Sequence, residues 1–151
     1  MSNFRQKQLS VAGRDVQSAT SRRKYALLPN VDRQQLMRHL ASCEAALEPS
    51  SPFLAPVIHN RIETSLPCGA EPPADTVTSS CLATYSIDGG PAQTSLLTHN
   101  ARIATKDGGV IPVRSLLGAT LIGLRVGQTV PMLCENGDVV RLTVLGVTRP
   151  T

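Results

Sequence analysis

Apolar positions along the chain fall into two regimes, one with helical spacing and one that alternates. Leu36, Leu40, Cys43 and Leu47 recur at i, i+4, i+7 and i+11, which predicts an amphipathic helix running to residue 47. Asp32 stands at the expected N-cap, and Pro49 stops the run. Ser51 and Pro52 offer a second start, as N-cap and first helical residue. Phe53, Leu54, Val57, Ile58 and Ile62 supply its apolar face, and Pro56 falls in the first turn, where a missing N–H costs little. Two helices joined by a tight link predict an antiparallel hairpin.

Past residue 65 the spacing changes. Pro67, Gly69, Pro72 and Pro73 cannot continue a helix and predict a linker. Residues 76–86 read as a strand, Asp88-Gly89-Gly90 as a turn, and 92–97 as the returning strand. Residues 103–113 hold a further turn and a short strand. Leu116, Leu117, Leu121, Ile122 and Leu124 predict a short buried helix, with Gly123 and Gly127 turning the backbone sharply on either side of 124–126. Asn136-Gly137 lies between two β-rich runs, 129–133 and 139–147, and predicts a hairpin closed by a type I′ turn. The fold class is α+β: a short helical hairpin, then a small antiparallel sheet with one short helix. The expected organisation is a basic flexible tail over 1–28, the hairpin over 29–65, a linker over 66–75 and a C-terminal domain over 76–151.

Charge is concentrated at one end. Residues 1–24 carry six basic side chains against Asp15 alone, a net of +5, and the chain total of +4 leaves −1 for the rest. A nearly neutral folded part gives no broad basic face, so sequence-specific DNA binding is not expected. No run of eighteen apolar residues exists, so no membrane span is expected. The N-terminus shows no apolar signal segment, which with the free thiols below points to the cytoplasm. Aromatic residues are scarce and Trp is absent, so the core must be built from Leu, Val, Ile and Ala.

Candidate chemistry is sparse. Cys43, Cys68, Cys81 and Cys134 form no close pair of the kind that sets tetrahedral zinc geometry, and they read as free thiols. His39, His59 and His99 show no converging ligands, so no metal and no cofactor is expected. Ser50-Ser51 and Ser79-Ser80 lack the strand-turn-helix setting of a nucleophile elbow. Gly108-Gly109 is a turn pair without the helix start that a phosphate cradle requires. No catalytic residue is assigned, and the chain is not expected to be an enzyme.

The string Gly118-Ala-Thr-Leu-Ile-Gly-Leu-Arg-Val-Gly-Gln128, followed by a hairpin ending Leu142-Thr-Val-Leu-Gly-Val147, resembles the C-terminal domain of the bacterial Gre-type transcription elongation factors. Within that family it is most similar to the short Gre-like regulators of nucleoside diphosphate kinase. The likeness covers roughly residues 73–148 and extends more weakly to the helical segment before it. It implies an FKBP-like domain that docks on RNA polymerase at the rim of the secondary channel. The positions matching the docking edge are His99 and Asn100 in one segment and Arg114, Ser115, Leu116 and Leu117 in the other. Family members usually carry an acid in the first segment and a proline after the Ser or Thr of the second. This chain has neither, which implies a weakened or redirected contact.

The resemblance also raises transcript cleavage, which in the family depends on acids at the tip of a long coiled-coil finger that help to hold Mg²⁺. Glu44 and Glu48 fall near the expected hairpin tip, four apart on one face. Yet a first helix of about 16 residues spans only roughly 24 Å. The expected function is therefore a non-enzymatic transcription regulator. The alternatives are an interaction module regulating another protein, such as nucleoside diphosphate kinase, and an active cleavage factor.

Overall fold

The computed structural model of the protein describes residues 25–45, 51–69, 71–100 and 109–149. In chain order the elements are β1 (Ala26–Pro29), α1 (Asn30–Glu44), α2 (Leu54–Glu63), β2 (Ser65–Cys68), β3 (Leu82–Ile87), β4 (Gln93–Thr98), β5 (Val110–Pro112), α3 (Leu116–Leu121), β6 (Thr129–Leu133) and β7 (Val139–Thr148). Among the described residues no helix is long and apolar enough to cross a membrane.

The amphipathic stripes form the two helices where expected. Leu36 on α1 and Leu54 and Ile58 on α2 are buried, with Leu40, Cys43, Phe53, Val57 and Ile62 packed around them. Helix starts differ from the sequence reading. Pro29 occupies the N-cap of α1 without a side-chain cap bond, and Asp32 lies inside the first turn. Ser51 opens a turn, its Oγ accepting from Phe53 N–H at 3.2 Å, but α2 begins only at Leu54. Leu47, Glu48, Pro49 and Ser50 lie outside the described residues.

Two expected boundaries move. The basic tail was expected to stay loose to residue 28, and the linker to begin at 66. Instead β1 and β2 pair in parallel, from Ala26↔Ser65 to Pro29↔Cys68. The reason is burial: Ala26 and Leu28 enter the core, and Ala26 N–H donates to Thr64 O at 2.8 Å. The pairing clips the outer ends of the helical hairpin together. Four-residue strands are too short to show an alternation in sequence. Residues 1–24 lie outside the described residues.

The five-stranded sheet has the order β5-β4-β3-β7-β6. It is mixed and not purely antiparallel, because β5 runs parallel to β4. The chain leaves β4 at Thr98, and β5 begins at Val110, beside Leu96. Turn chemistry explains the two hairpins. Asp88 (φ 53°) and Gly89 (φ 71°) both adopt the left-handed region, and Gly90 N–H closes on Ile87 O at 2.9 Å, the geometry of a type I′ turn.

The second hairpin departs from expectation. Gly137 (φ 91°) takes the left-handed region there while Asn136 does not. Gly137 N–H donates to Cys134 O at 2.9 Å, and Cys134 N–H to Asp138 O at 2.8 Å. This is a three-residue loop with a glycine bulge, in place of a type I′ turn. Asn136 Oδ1 instead accepts from Asp138 N–H at 3.0 Å.

One core serves both parts. Leu28, Leu36 and Ile58 from the hairpin side join Val77, Leu97, Leu121, Ile122, Leu142 and Val144 from the sheet side in a single cluster. Helix α3 is the joint. Ser115 caps it, with Oγ accepting from Gly118 N–H at 3.0 Å and donating to Pro112 O at 2.7 Å. A Cβ at residue 118 would overlap the Pro112 carbonyl, so only glycine lets α3 lie this close to β5.

Candidate docking edge

Parallel pairing places the ends of β4 and β5 side by side, with Thr98 opposite Pro112 and Val113 N–H donating to Thr98 O at 2.9 Å. The two segments named from sequence, 99–100 and 114–117, therefore leave the sheet together. They are brought to one edge, but they do not present themselves equally. Leu116 is 4% exposed and belongs to the core, and Leu117 is half-buried against it. Asn100 is exposed, with its N–H donating to Thr98 Oγ1 at 3.2 Å. Arg114 and Ser115 are partly exposed.

His99 turns inward. Its Nε2 lies 2.7 Å from Asp32 Oδ1, and its Nδ1 lies 3.1 Å from His39 Nε2. The two imidazoles stack with centroids 5.2 Å apart. Asp32 is 1% exposed and the His99 side chain 8%. Asp32 Oδ2 also accepts from Ser79 N–H at 3.3 Å. Two proton orders satisfy these contacts: His99 Nε2–H donates to the carboxylate in both, while His99 Nδ1 either accepts from His39 Nε2–H or, in the imidazolium, donates to His39 Nε2.

Burial alone pushes the Asp32 carboxyl up, but hydrogen bonds from His99 and Ser79 outweigh it, and the net shift is downward. Burial first, then neighbouring His99 and Arg114, lower His39 to about 4. The arrangement is an ionised carboxylate backed by two stacked imidazoles. Ser79 reaches the carboxylate with its side chain as well as its N–H, and among the described residues no group of three His, Cys, Asp or Glu side chains is placed to hold a metal ion. The effect of the arrangement is to latch α1 onto the end of β4.

Sequence reasoning missed this latch. The available signal was Asp32 and His39, which share the buried stripe of α1 with Leu36 and Cys43 at i, i+4, i+7 and i+11. A carboxylate on a buried stripe requires a partner. Glu44 is exposed at the end of α1, and Glu48 lies outside the described residues. His59 sits on α2, 3.9 Å from Glu63 and away from the edge.

No family model matches the sequence, and no curated protein does. Among solved structures, the chain is similar to a prokaryotic transcription elongation factor GreA/GreB from Nitrosomonas europaea, with a TM-score of 0.60 at 17% identity, over 82% of this chain and 98% of that one. Weaker overlaps are found with the GreA factor homolog 1 protein (Gfh1) of Thermus thermophilus (TM-score 0.40, 12% identity, 82% of this chain and 98% of that one). The Gfh1 of Thermus aquaticus gives a TM-score of 0.41 at 13% identity, over 83% of this chain and 99% of that one. The first of these likenesses shows a shared fold; the other two are too loose to add to it.

Proposed function

We propose that this chain is a non-enzymatic transcription regulator that binds RNA polymerase through its five-stranded sheet, at the rim of the secondary channel. The observation that carries the reading is the fold shared with a solved transcription elongation factor over 82% of the chain. The docking edge supports it, since two separate segments named from sequence converge beside α3. We place the contact on Asn100, Arg114, Ser115 and the rim of Leu117, because His99 and Leu116 are spent on internal contacts.

Helix length supports the non-enzymatic part. The 15 residues of α1 span about 22 Å at 1.5 Å per residue. That is a short reach for delivering carboxylates to a distant active centre. It also favours the short-finger, kinase-regulator type of Gre-like chain over a cleavage factor. The test is co-sedimentation with bacterial core RNA polymerase at low salt. Association at micromolar concentration is expected, reduced by the paired substitutions Asn100→Arg and Arg114→Glu, with no stimulation of transcript cleavage on backtracked complexes. No association at low salt rules the reading out, and Glu44-dependent cleavage replaces it with the cleavage-factor alternative.

A further inference from the structure

A second feature lies beside α3, between α2 and the edge strand β6. A groove of about 460 Å³ runs there, lined by Val57, Arg61, Leu124, Gln128, Val130 and Leu133 among others. That size falls in the ~300–1,000 Å³ range of ligand sites. Its walls are mostly apolar, with one full charge. The Arg61 guanidinium is packed beneath Gly123 and donates through Nη2 to Thr120 O at 3.0 Å. Its Nε is buried and has no hydrogen-bond partner among the described residues. Ion pairs among the described residues join His59 to Glu63 and His99 to Asp32, and none reaches Arg61. Burial pushes Arg61 down to about 10, which leaves it charged at neutral pH. A buried cation without a counter-ion is costly, and an entering carboxylate removes that cost.

We propose that this groove is a docking site for an acidic peptide segment of a protein partner, whose carboxylate meets Arg61 while flanking apolar side chains fill the groove between Val57 and Val130. Charge complementarity selects the carboxylate. The shape selects an extended segment, because the groove follows an edge strand. Ladder alternation turns the main-chain groups of Thr129, Pro131 and Leu133 away from β7 and toward that edge. Pro131 has no N–H to offer, so a continuous added strand cannot form. Anchoring therefore falls to the guanidinium, with isolated main-chain bonds at Thr129 and Leu133. Gln128 contributes its amide –NH₂ at the rim, since its Oε1 already accepts from Arg125 N–H at 2.9 Å.

The inference is independent of the polymerase reading: a chain that takes the peptide but ignores polymerase leaves it intact. The experiment titrates the ¹⁵N-labelled full chain with acetyl-Leu-Glu-Leu-amide and with its Gln counterpart, following the Arg61 Nε–H and Leu133 amide resonances. Saturable shifts with the Glu peptide are expected, with binding of the Gln peptide about tenfold weaker or worse, as for loss of a charge-assisted pair. Arg61→Lys is expected to weaken the Glu peptide to a similar degree. Because Arg61 also braces α3, Gln128→Glu is the second variant. It keeps the acceptor for Arg125 N–H, supplies an internal carboxylate and is expected to block the peptide in a folded protein. Equal binding of the Gln peptide, no shift at all, or the same shift with sodium acetate alone at equal concentration overturns the proposal.

Discussion

Replacing His39 by Gln tests the latch through its pH dependence. His39 Nε2 lies 3.1 Å from His99 Nδ1, and its acid form is opposed by burial, by His99 and by Arg114. The folded value of about 4 stands below the ordinary 6.5, so between those two the unfolded chain holds a proton that the folded chain does not. Stability must then rise with pH across that window and fall as pH drops from about 6.5 towards 4. Carried from pH 7.5 to pH 5, the full shift corresponds to about 2 kcal/mol. His39 is only half-buried, and solvent screening reduces the expected effect to about 1 kcal/mol. Asp32 adds little here, since a carboxylate shifted down from 3.8 loses its contribution only at more acid pH. A Gln side chain keeps an amide donor towards His99 but does not titrate. Urea unfolding of both proteins at pH 7.5 and pH 5 is the assay. The wild type should lose about 1 kcal/mol more than His39→Gln on acidification, all other titrating groups cancelling in the difference. Equal losses would refute the assignment of His39 as a proton-excluding member of the latch.

Other substitutions probe the frame. Gly118→Ala should destabilise by about 3 kcal/mol or more, because the added methyl meets backbone that cannot yield; a melting temperature within a degree or two of wild type counts against the close approach of α3 to β5. Leu36→Ala should cost about 3 kcal/mol and lower a single unfolding transition, since Leu36 belongs to the core shared by the hairpin and the sheet. Two separated transitions in calorimetry would show that the hairpin melts alone. Cys81 is fully buried and its thiol is pushed up by that burial, so in the folded protein a disulfide reagent near pH 8 should label it last of the four cysteines. Labelling of Cys81 before Cys43, Cys68 and Cys134, read by peptide mass, contradicts the packing.

Much of the scaffold was legible because its signals are local. Leu36, Leu40 and Cys43 mark α1 by spacing alone, and the Asp88-Gly89 and Asn136-Gly137 pairs mark hairpins by the backbone angles they tolerate. Even so, the turn type at Asn136 depended on Asp138, whose N–H binds the Asn136 side chain and accompanies a three-residue loop. What escaped was non-local. The β1–β2 ladder joins residues that meet only after two helices fold back, and Pro29 and Pro67 within it look like breakers. The parallel direction of β5 beside β4 is something its three residues cannot encode. At the candidate site, the spacing of Thr98 and Val113 gave no hint that their segments would adjoin. Asp32 read as a helix cap because Asp is favoured there, whereas the structure uses it against His99. Arg61 is not among the apolar positions that mark α2 in the sequence, and only the packing of α2 on α3 shows it covered.

The manner in which the helical arm is fastened has a mechanical consequence. Two unlike bonds fasten it to the sheet side, the Asp32 bond to His99 and the Arg61 bond to the Thr120 carbonyl, while the Ala26–Pro29 ladder with Ser65–Cys68 ties its two chain ends to each other. Swinging the arm about its root breaks both bonds at once, so no single weak point acts as a hinge. Torque applied at the far end of α1 passes straight into the sheet. A binding partner that grips the sheet edge thereby receives a projection of set length and bearing, a gauge and not a tether.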